Sequence, residues 1–196
     1  MTNRQELTRA DILPWADYAR ERAEHRRRVT AIKRHRRVEV GPYVTFYFES
    51  FDTMWLQVQE MLHIERGGDA QIPEELAAYN PLIPKGHELV ATFMIEIDDP
   101  LRRARVLAGL GGIEETAFIE VGGERVAGKA EADQDRTTAE GKASSVQFVH
   151  FTFTDAQIAA FREPNARVIL GLSHPNYSHM AVLHEATRAA LASDFA

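Results

Sequence analysis

The chain has 196 residues, of which 44% are hydrophobic and 27% charged, a balance that supports a folded core and excludes global disorder. It contains no cysteine, which excludes disulfides, thiolate metal sites and cysteine nucleophiles. The net charge of −6 is uneven, because residues 1–37 carry eleven Lys and Arg against five Asp and Glu. We therefore expect a single domain over residues 1–196, with residues 1–36 as a basic helical arm.

The first elements are a helix, a strand and a second helix. Apolar anchors at helical spacing predict a long helix over about residues 14–35. Alternating apolar and polar side chains then predict one strand over residues 37–49, whose more polar face carries Thr45, Tyr47 and Glu49. A capped inner helix follows and ends near Arg66, just before two glycines.

The later elements are shorter. Strands are predicted at residues 87–97, 118–121, 125–127, 145–154 and 167–173. Helices are predicted at residues 73–78, 100–110, 155–162 and 175–195, and a polar loop at residues 130–145. Helices cluster early and late, with hairpins between them. We therefore expect an α+β fold with a mainly antiparallel sheet of five or six strands, a long N-terminal helix, an inner helix and a C-terminal helix.

The N-terminal residues lack the basic and then apolar pattern of a secretory signal peptide, and no apolar run is long enough to span a bilayer. These observations predict a cytoplasmic protein with no membrane partner. Closed two-fold dimers are the commonest soluble assemblies, which makes a homodimer the default expectation. The sequence contains no Walker loop and no G-x-S-x-G motif, the usual signatures of nucleotide-dependent enzymes and of serine hydrolases.

Three of the eight histidines lie within eleven residues near the C-terminus. His174 and His179, with Tyr177 between them, follow the last predicted strand. A spacing of five residues turns an α-helix by about 140°, so His174, His179 and His184 cannot share one helical face. A metal or proton-transfer site would need a carboxylate from another element, and imidazole suits iron or zinc. The same side chains also fit a structural role at the base of a helix, bonded to main-chain groups.

Glu60-x-x-His63 has the spacing that di-iron bundles use. On a helical projection both residues lie opposite the apolar arc, whereas a di-iron bundle needs a second inward-facing copy. An exposed pair on one helix therefore fits this motif better. His150 lies on a strand with two apolar faces, where a hydrogen-bonded core role fits better than that of a ligand.

The basic N-terminal helix is a third candidate site, because Lys and Arg neutralise phosphate groups. Its basic tract runs directly into a strand and carries no interleaved aromatic residues. A solvated or self-paired surface is therefore favoured over a small-anion site, and a small-anion site over nucleic acid. The candidate anion-binding residues are Arg26, Arg27, Lys33, Arg34 and Arg36.

Several phrases occur together in the chain: IKRHRRVEVGPYVTFYFE, AYNPLIP, ATFMIEI and HPNYSH. In order and spacing they resemble a bacterial family, the domain-of-unknown-function family 3501, over nearly the whole chain. The resemblance implies genes close to those of rubrerythrin and an iron–sulfur oxidoreductase. It also implies that the positions of Glu60, His174, Tyr177 and His179 belong to the family pattern, whereas the position of His63 is often basic.

These observations together predict an accessory protein of iron or redox-stress metabolism, with rubrerythrin or an iron–sulfur oxidoreductase as a redox partner. It would bind a metal or small ligand at His174, Tyr177 and His179, with Glu60 or Glu65 as a further donor. Iron or zinc suits such a donor set. Two alternatives stay open: a non-haem metal-dependent enzyme of unassigned substrate, and a scaffold, nucleic-acid-binding or anion-binding protein that uses the basic helix.

Overall fold

The computed structural model describes residues 4–131, 137–138 and 141–196. Within these residues there are six α-helices and eight strands. The helices are α1 (Trp15–Lys33), α2 (Phe51–Glu65), α3 (Ile72–Tyr79), α4 (Pro100–Ala108), α5 (Asp155–Arg162) and α6 (Glu185–Ala192). The strands are β1 (Arg37–Val40), β2 (Val44–Phe48), β3 (Glu88–Ile95), β4 (Ala117–Val121), β5 (Glu124–Ala130), β6 (Val146–Thr152), β7 (Ile169–His174) and β8 (Tyr177–Val182).

The eight strands form one antiparallel sheet in the order β1-β2-β3-β6-β5-β4-β7-β8. The sheet curls until its edge strands β1 and β8 contact each other, which gives a nearly closed barrel. Inward-pointing side chains alternate along each strand and fill the barrel with an apolar core. This core includes Phe46, Phe48, Phe93, Ile119, Phe151, Leu170 and Leu172.

A layer of three helices covers the outer face of β2, β3 and β6. Helix α1 packs along α2, and α2 along α3. Val90 points outward from β3 into the apolar cluster of this layer, whereas its neighbour Ala91 faces the barrel interior. Ser50 caps α2: its hydroxyl accepts from the Thr53 main-chain N–H, and its own N–H donates to the Thr53 hydroxyl. The cap fixes where the chain leaves the barrel for the helical layer.

The prediction of five or six strands is wrong, because two segments reverse direction unexpectedly. Residues 37–49 form the separate strands β1 and β2. Gly41 adopts a φ of 72°, a left-handed conformation that glycine takes without a Cβ clash. Pro42 follows it and has no main-chain N–H for a ladder. The pair therefore makes a tight turn within a run that otherwise alternates like one strand.

The second reversal lies in the predicted C-terminal helix. Residues 177–182 form β8, hydrogen-bonded in register to β7, and α6 begins only at Glu185. Pro175 and Asn176 form the turn between these strands. Proline suits the second position of a β-turn as well as the first turn of a helix, so its presence did not distinguish the two structures.

The predicted long N-terminal and inner helices are present as α1 and α2. The predicted polar loop at residues 130–145 falls partly on residues 132–136 and 139–140, which lie outside the described residues. In the described part of the chain, no helix combines the length and apolar character needed to cross a bilayer.

Candidate functional site

The hairpin of β7 and β8 brings the predicted His/Tyr site together on one side of the sheet. His174 and Tyr177 are directly opposite in the register, and His179 follows two residues later on the same face. His174 Nδ1 accepts a hydrogen bond from the Asn176 main-chain N–H at 3.2 Å, and its Nε2 lies 3.3 Å from the carbonyl oxygen of Gly111. Both ring nitrogens of His174 are therefore held by the main chain.

Tyr177 holds the two edges of the barrel together. Its hydroxyl donates to the Val40 carbonyl oxygen at 2.8 Å and accepts from the main-chain N–H groups of Tyr43 and Val44 at 3.0 and 3.1 Å. Burial raises the pKa of this hydroxyl. The His179 ring packs edge-on against Tyr177, with 4.6 Å between ring centroids. The phenol is thus committed to main-chain bonds, whereas the His179 imidazole forms no hydrogen bond among the described residues.

Glu60 lies instead in the contact between α1 and α2. Arg22 donates to both of its carboxylate oxygens, at 2.8 and 2.7 Å, and the Tyr18 hydroxyl donates to one of them at 2.5 Å. The Arg22 guanidinium lowers the pKa of Glu60 to about 2. Glu60 thus joins two helices, and among the described residues no three His, Asp or Glu side chains are arranged to hold a metal.

The other histidine candidates also lie against neighbouring elements. His63 stacks on Trp15, with 5.3 Å between ring centroids, so Glu60 and His63 face α1 and are not an exposed pair. His150 points to the outer face of the sheet, and its Nδ1 lies 3.2 Å from a carboxylate oxygen of Glu88. Neither imidazole belongs to a group of three potential metal donors among the described residues.

The five predicted anion-binding residues occupy three different environments. Arg36 is buried, and its guanidinium donates to both carboxylate oxygens of Asp194 at 2.6 and 2.8 Å. This arginine serves an internal ion pair. Arg26 and Arg27 are exposed on α1. The remaining two residues, Lys33 and Arg34, lie where α1 ends, beside a cleft.

The cleft has a volume of about 590 Å³ and lies between the helical layer and the outer face of the sheet. Apolar and aromatic side chains form much of its wall: Tyr47, Met54, Tyr79, Leu82, Met94, Val146 and Phe148. Apolar walls with a few convergent polar groups are typical of small-molecule sites of this volume. We call it the Glu49 cleft, after the buried acid that lines it.

Glu49 is only 8% exposed, and two hydroxyl groups orient its carboxylate. One oxygen accepts from Thr92 on β3 at 2.8 Å and the other from Thr53 on α2 at 2.7 Å. Each oxygen retains capacity for a further hydrogen bond. Glu49 points outward because it continues the polar face of β2, beyond Tyr47. The cleft therefore holds a fixed negative charge between two structural layers.

Three cations also line the Glu49 cleft: Lys33, Arg34 and Arg37. Arg37 is engaged by Glu39, 2.7 Å away, and lies over the ring of Tyr47. In the described part of the chain, the side chains of Lys33 and Arg34 form neither a hydrogen bond nor a salt bridge. An anion entering the cleft would thus meet two cations that have no ion-pair partner among the described residues.

A comparison with known protein families shows which family the chain belongs to. The family described as "Protein of unknown function (DUF3501)" matches residues 6–195. The chain belongs to this family. The resemblance predicted from the sequence is therefore confirmed over essentially the whole length. A comparison with curated proteins gives no match.

A solved structure extends the comparison to the fold of this DUF3501 protein. The crystal structure of a novel protein of unknown function from Burkholderia pseudomallei K96243 is similar to the chain, with a TM-score of 0.90 and 37% sequence identity. The similarity covers 97% of this chain and 99% of that chain. The barrel and its helical layer are thus shared between two different sequences.

Sequence reasoning did not identify Glu49, Thr53 or Thr92 as a candidate site. The available signal was the alternation that places Thr45, Tyr47 and Glu49 on one face of a strand. A polar strand face is ordinarily expected to meet solvent. Here the helical layer covers part of it, and only the tertiary fold reveals the enclosed carboxylate.

Proposed function

We propose that this DUF3501 protein binds a small organic anion with an apolar body in the Glu49 cleft. The observation that carries the proposal is the position of Lys33 and Arg34, two cations without an ion-pair partner among the described residues, beside an apolar-walled cleft of about 590 Å³. A ligand with one charged head and one apolar end satisfies both features of the site. The proposal includes the cytoplasmic location expected from the sequence.

The fixed charges set the orientation of such a ligand. Lys33 and Arg34 are exposed, so the anionic head group binds near them, where it stays partly hydrated. Glu49 is buried and repels a second negative charge, which keeps the head group away from this carboxylate. The apolar end then lies against side chains such as Met94 and Phe148.

Exposed cations interact with an anion through solvent of high dielectric constant, so their contribution depends on salt. The apolar walls supply a contribution to the affinity that does not depend on salt in this way. We therefore expect an affinity that weakens as the ionic strength rises but does not vanish. The Glu49 carboxylate can also accept from a ligand N–H or O–H group, which favours ligands that carry such a donor.

Calorimetric titration with octanoate tests the proposal, with octylammonium and octanol as probes of the same chain length. Octanoate should bind, and octylammonium should not. Replacing both Lys33→Gln and Arg34→Gln should weaken octanoate binding about tenfold or more, because charge-assisted hydrogen bonds are lost. The matched control, Arg26→Gln with Arg27→Gln, changes the net charge equally on the same helix but lies outside the cleft.

The two double variants distinguish binding in the cleft from a general effect of charge. Equal losses in both would mean that octanoate responds to the overall charge and does not bind in the cleft. An absence of binding by octanoate, by a longer carboxylate and by an alkyl phosphate would contradict the proposal outright.

We also propose, as a second function, the accessory role in iron or redox-stress metabolism predicted from the sequence. Its support is His179, whose imidazole forms no hydrogen bond among the described residues and lies against Tyr177. His174 and Glu60 would complete the predicted donor set only after rearrangement, because each is engaged elsewhere. Metal analysis of purified protein before and after His179→Ala tests this role, and an unchanged metal content would contradict it.

A further inference from the structure

A second cavity, of about 400 Å³, lies between the beginning of α1 and the end of α2. We call it the Trp15 pocket. Its walls include Trp15, Tyr18, Gln59, Leu62, His63 and Arg66. It shares no lining residue with the Glu49 cleft among the described residues, so the two are separate sites.

The amide of Gln59 is the unusual group in this pocket. Gln59 is only 2% exposed, and its amide nitrogen is buried without a hydrogen-bond partner within the described chain. A buried amide without a partner lowers stability, because it has lost its hydration and gained nothing in return. By contrast, the amide of Gln57, two residues earlier, lies 3.4 Å from the Tyr79 hydroxyl. An unpaired Gln59 that lines a cavity therefore indicates a ligand that completes its hydrogen bonds.

Part of the remaining wall of the pocket consists of planar groups. Trp15 is 48% exposed and stacks on His63, with an interplanar angle of 14°. The guanidinium of Arg66 lies 5.5 Å from the centre of a Trp15 ring. Such rings and guanidinium planes stack with planar ligands and tolerate different ring types. His63 Nδ1 is buried and also has no partner in the described structure.

We propose that the Trp15 pocket binds a planar heterocycle with a neighbouring hydrogen-bond donor and acceptor, of the kind that a nucleobase carries. A primary amide has a donor and an acceptor in one plane, and glutamine pairs with adenine through two hydrogen bonds in this way. Gln59 supplies this recognition, and Trp15 supplies the stacking surface. The pocket is independent of the organic anion proposed for the Glu49 cleft.

Calorimetry and tryptophan fluorescence with adenine as the probe test the inference, with naphthalene as a planar probe that forms no hydrogen bonds. We expect adenine to bind saturably, to quench Trp15 and to bind more tightly than naphthalene. Gln59→Leu should weaken adenine binding about tenfold or more, since two hydrogen bonds are lost. Gln57→Leu makes the same chemical change on the same helix and should leave adenine binding unchanged.

The thermal stability of the same variants separates this role from a structural one. Gln59→Leu should raise the melting temperature of the free protein by a few degrees, because it removes an unpaired buried amide. A fall in the melting temperature would show that Gln59 has a structural partner and would overturn the inference. Equal affinity of Gln59→Leu for adenine, or an absence of binding by adenine, uracil and nicotinamide at millimolar concentration, would overturn it too.

Discussion

The Tyr177 hydroxyl donates a hydrogen bond to the Val40 carbonyl oxygen across the gap between β8 and β1, the two edges of the sheet. The Tyr177 hydroxyl oxygen also accepts from the main-chain N–H groups of Tyr43 and Val44. Edge strands without a ladder between them leave main-chain groups that need other partners. The hydroxyl of Tyr177 supplies a hydrogen-bond partner for three such main-chain groups.

Tyr177→Phe should therefore lower the free energy of unfolding by about 2–4 kcal/mol, since it leaves buried main-chain groups unpaired. Urea unfolding followed by circular dichroism measures this change. The control is Tyr43→Phe, which removes a hydroxyl whose one hydrogen-bond partner among the described residues is Arg102 at the surface, and we expect a loss below about 1 kcal/mol there. Equal effects of the two variants would contradict the role assigned to Tyr177.

The buried pair of Arg36 and Asp194 joins the end of α1 to the C-terminal residues. Removing one member leaves the other charge buried and unpaired, so Asp194→Ala should lower the free energy of unfolding by about 3–5 kcal/mol. Replacing both by apolar residues, Arg36→Met with Asp194→Leu, should recover much of the loss. Arg28→Ala, which breaks the exposed pair with Asp52, should have an effect below about 1 kcal/mol. Chemical denaturation measures the free energy of unfolding of the three variants. A double variant as unstable as Asp194→Ala would refute this expectation.

Glu60 predicts a dependence of stability on pH. Its pKa in the folded protein is about 2, below the ordinary value of 4.5, because Arg22 and Tyr18 bind the charged form. The carboxylate therefore contributes stability above its ordinary pKa and loses that contribution as the pH falls from 4.5 towards 2. We expect the stability difference between the natural protein and Glu60→Gln to be constant near neutral pH and to shrink below pH 4.5. Urea unfolding across this range measures the difference, and a value independent of pH would disprove the assignment.

Local signals in the sequence predict most helices and strands, but they fail where one signal fits two structures. Pro175 suits a helix start and a turn equally, and the six residues of β8 do not differ clearly from a helix in periodicity alone. What stabilises β8 is its pairing with β7 and the bonds of Tyr177 to residues more than a hundred positions away. Such long-range partners cannot be recognised from local spacing.

The candidate site shows the same limit. The cations Lys33 and Arg34 are identifiable as members of a basic tract, but their neighbour Arg36 looks identical in sequence and serves a buried ion pair. Arg36 differs in lying beyond the end of α1, in the bend before β1, where its side chain is buried. Glu49 is visible as a polar strand residue, yet its enclosure depends on how α1 and α2 pack over the sheet.

The most direct test of ligand binding in the Glu49 cleft uses methionine methyl signals in NMR during a titration with octanoate. Met54 and Met94 line the cleft, whereas Met180 lies exposed on β8. We expect the Met54 and Met94 methyl resonances to shift saturably, with Met180 unchanged and with the shifts lost in the Lys33→Gln, Arg34→Gln variant. Saturable shifts confined to Met180, or no shift of Met54 and Met94 while octanoate binds by calorimetry, would contradict the proposed site.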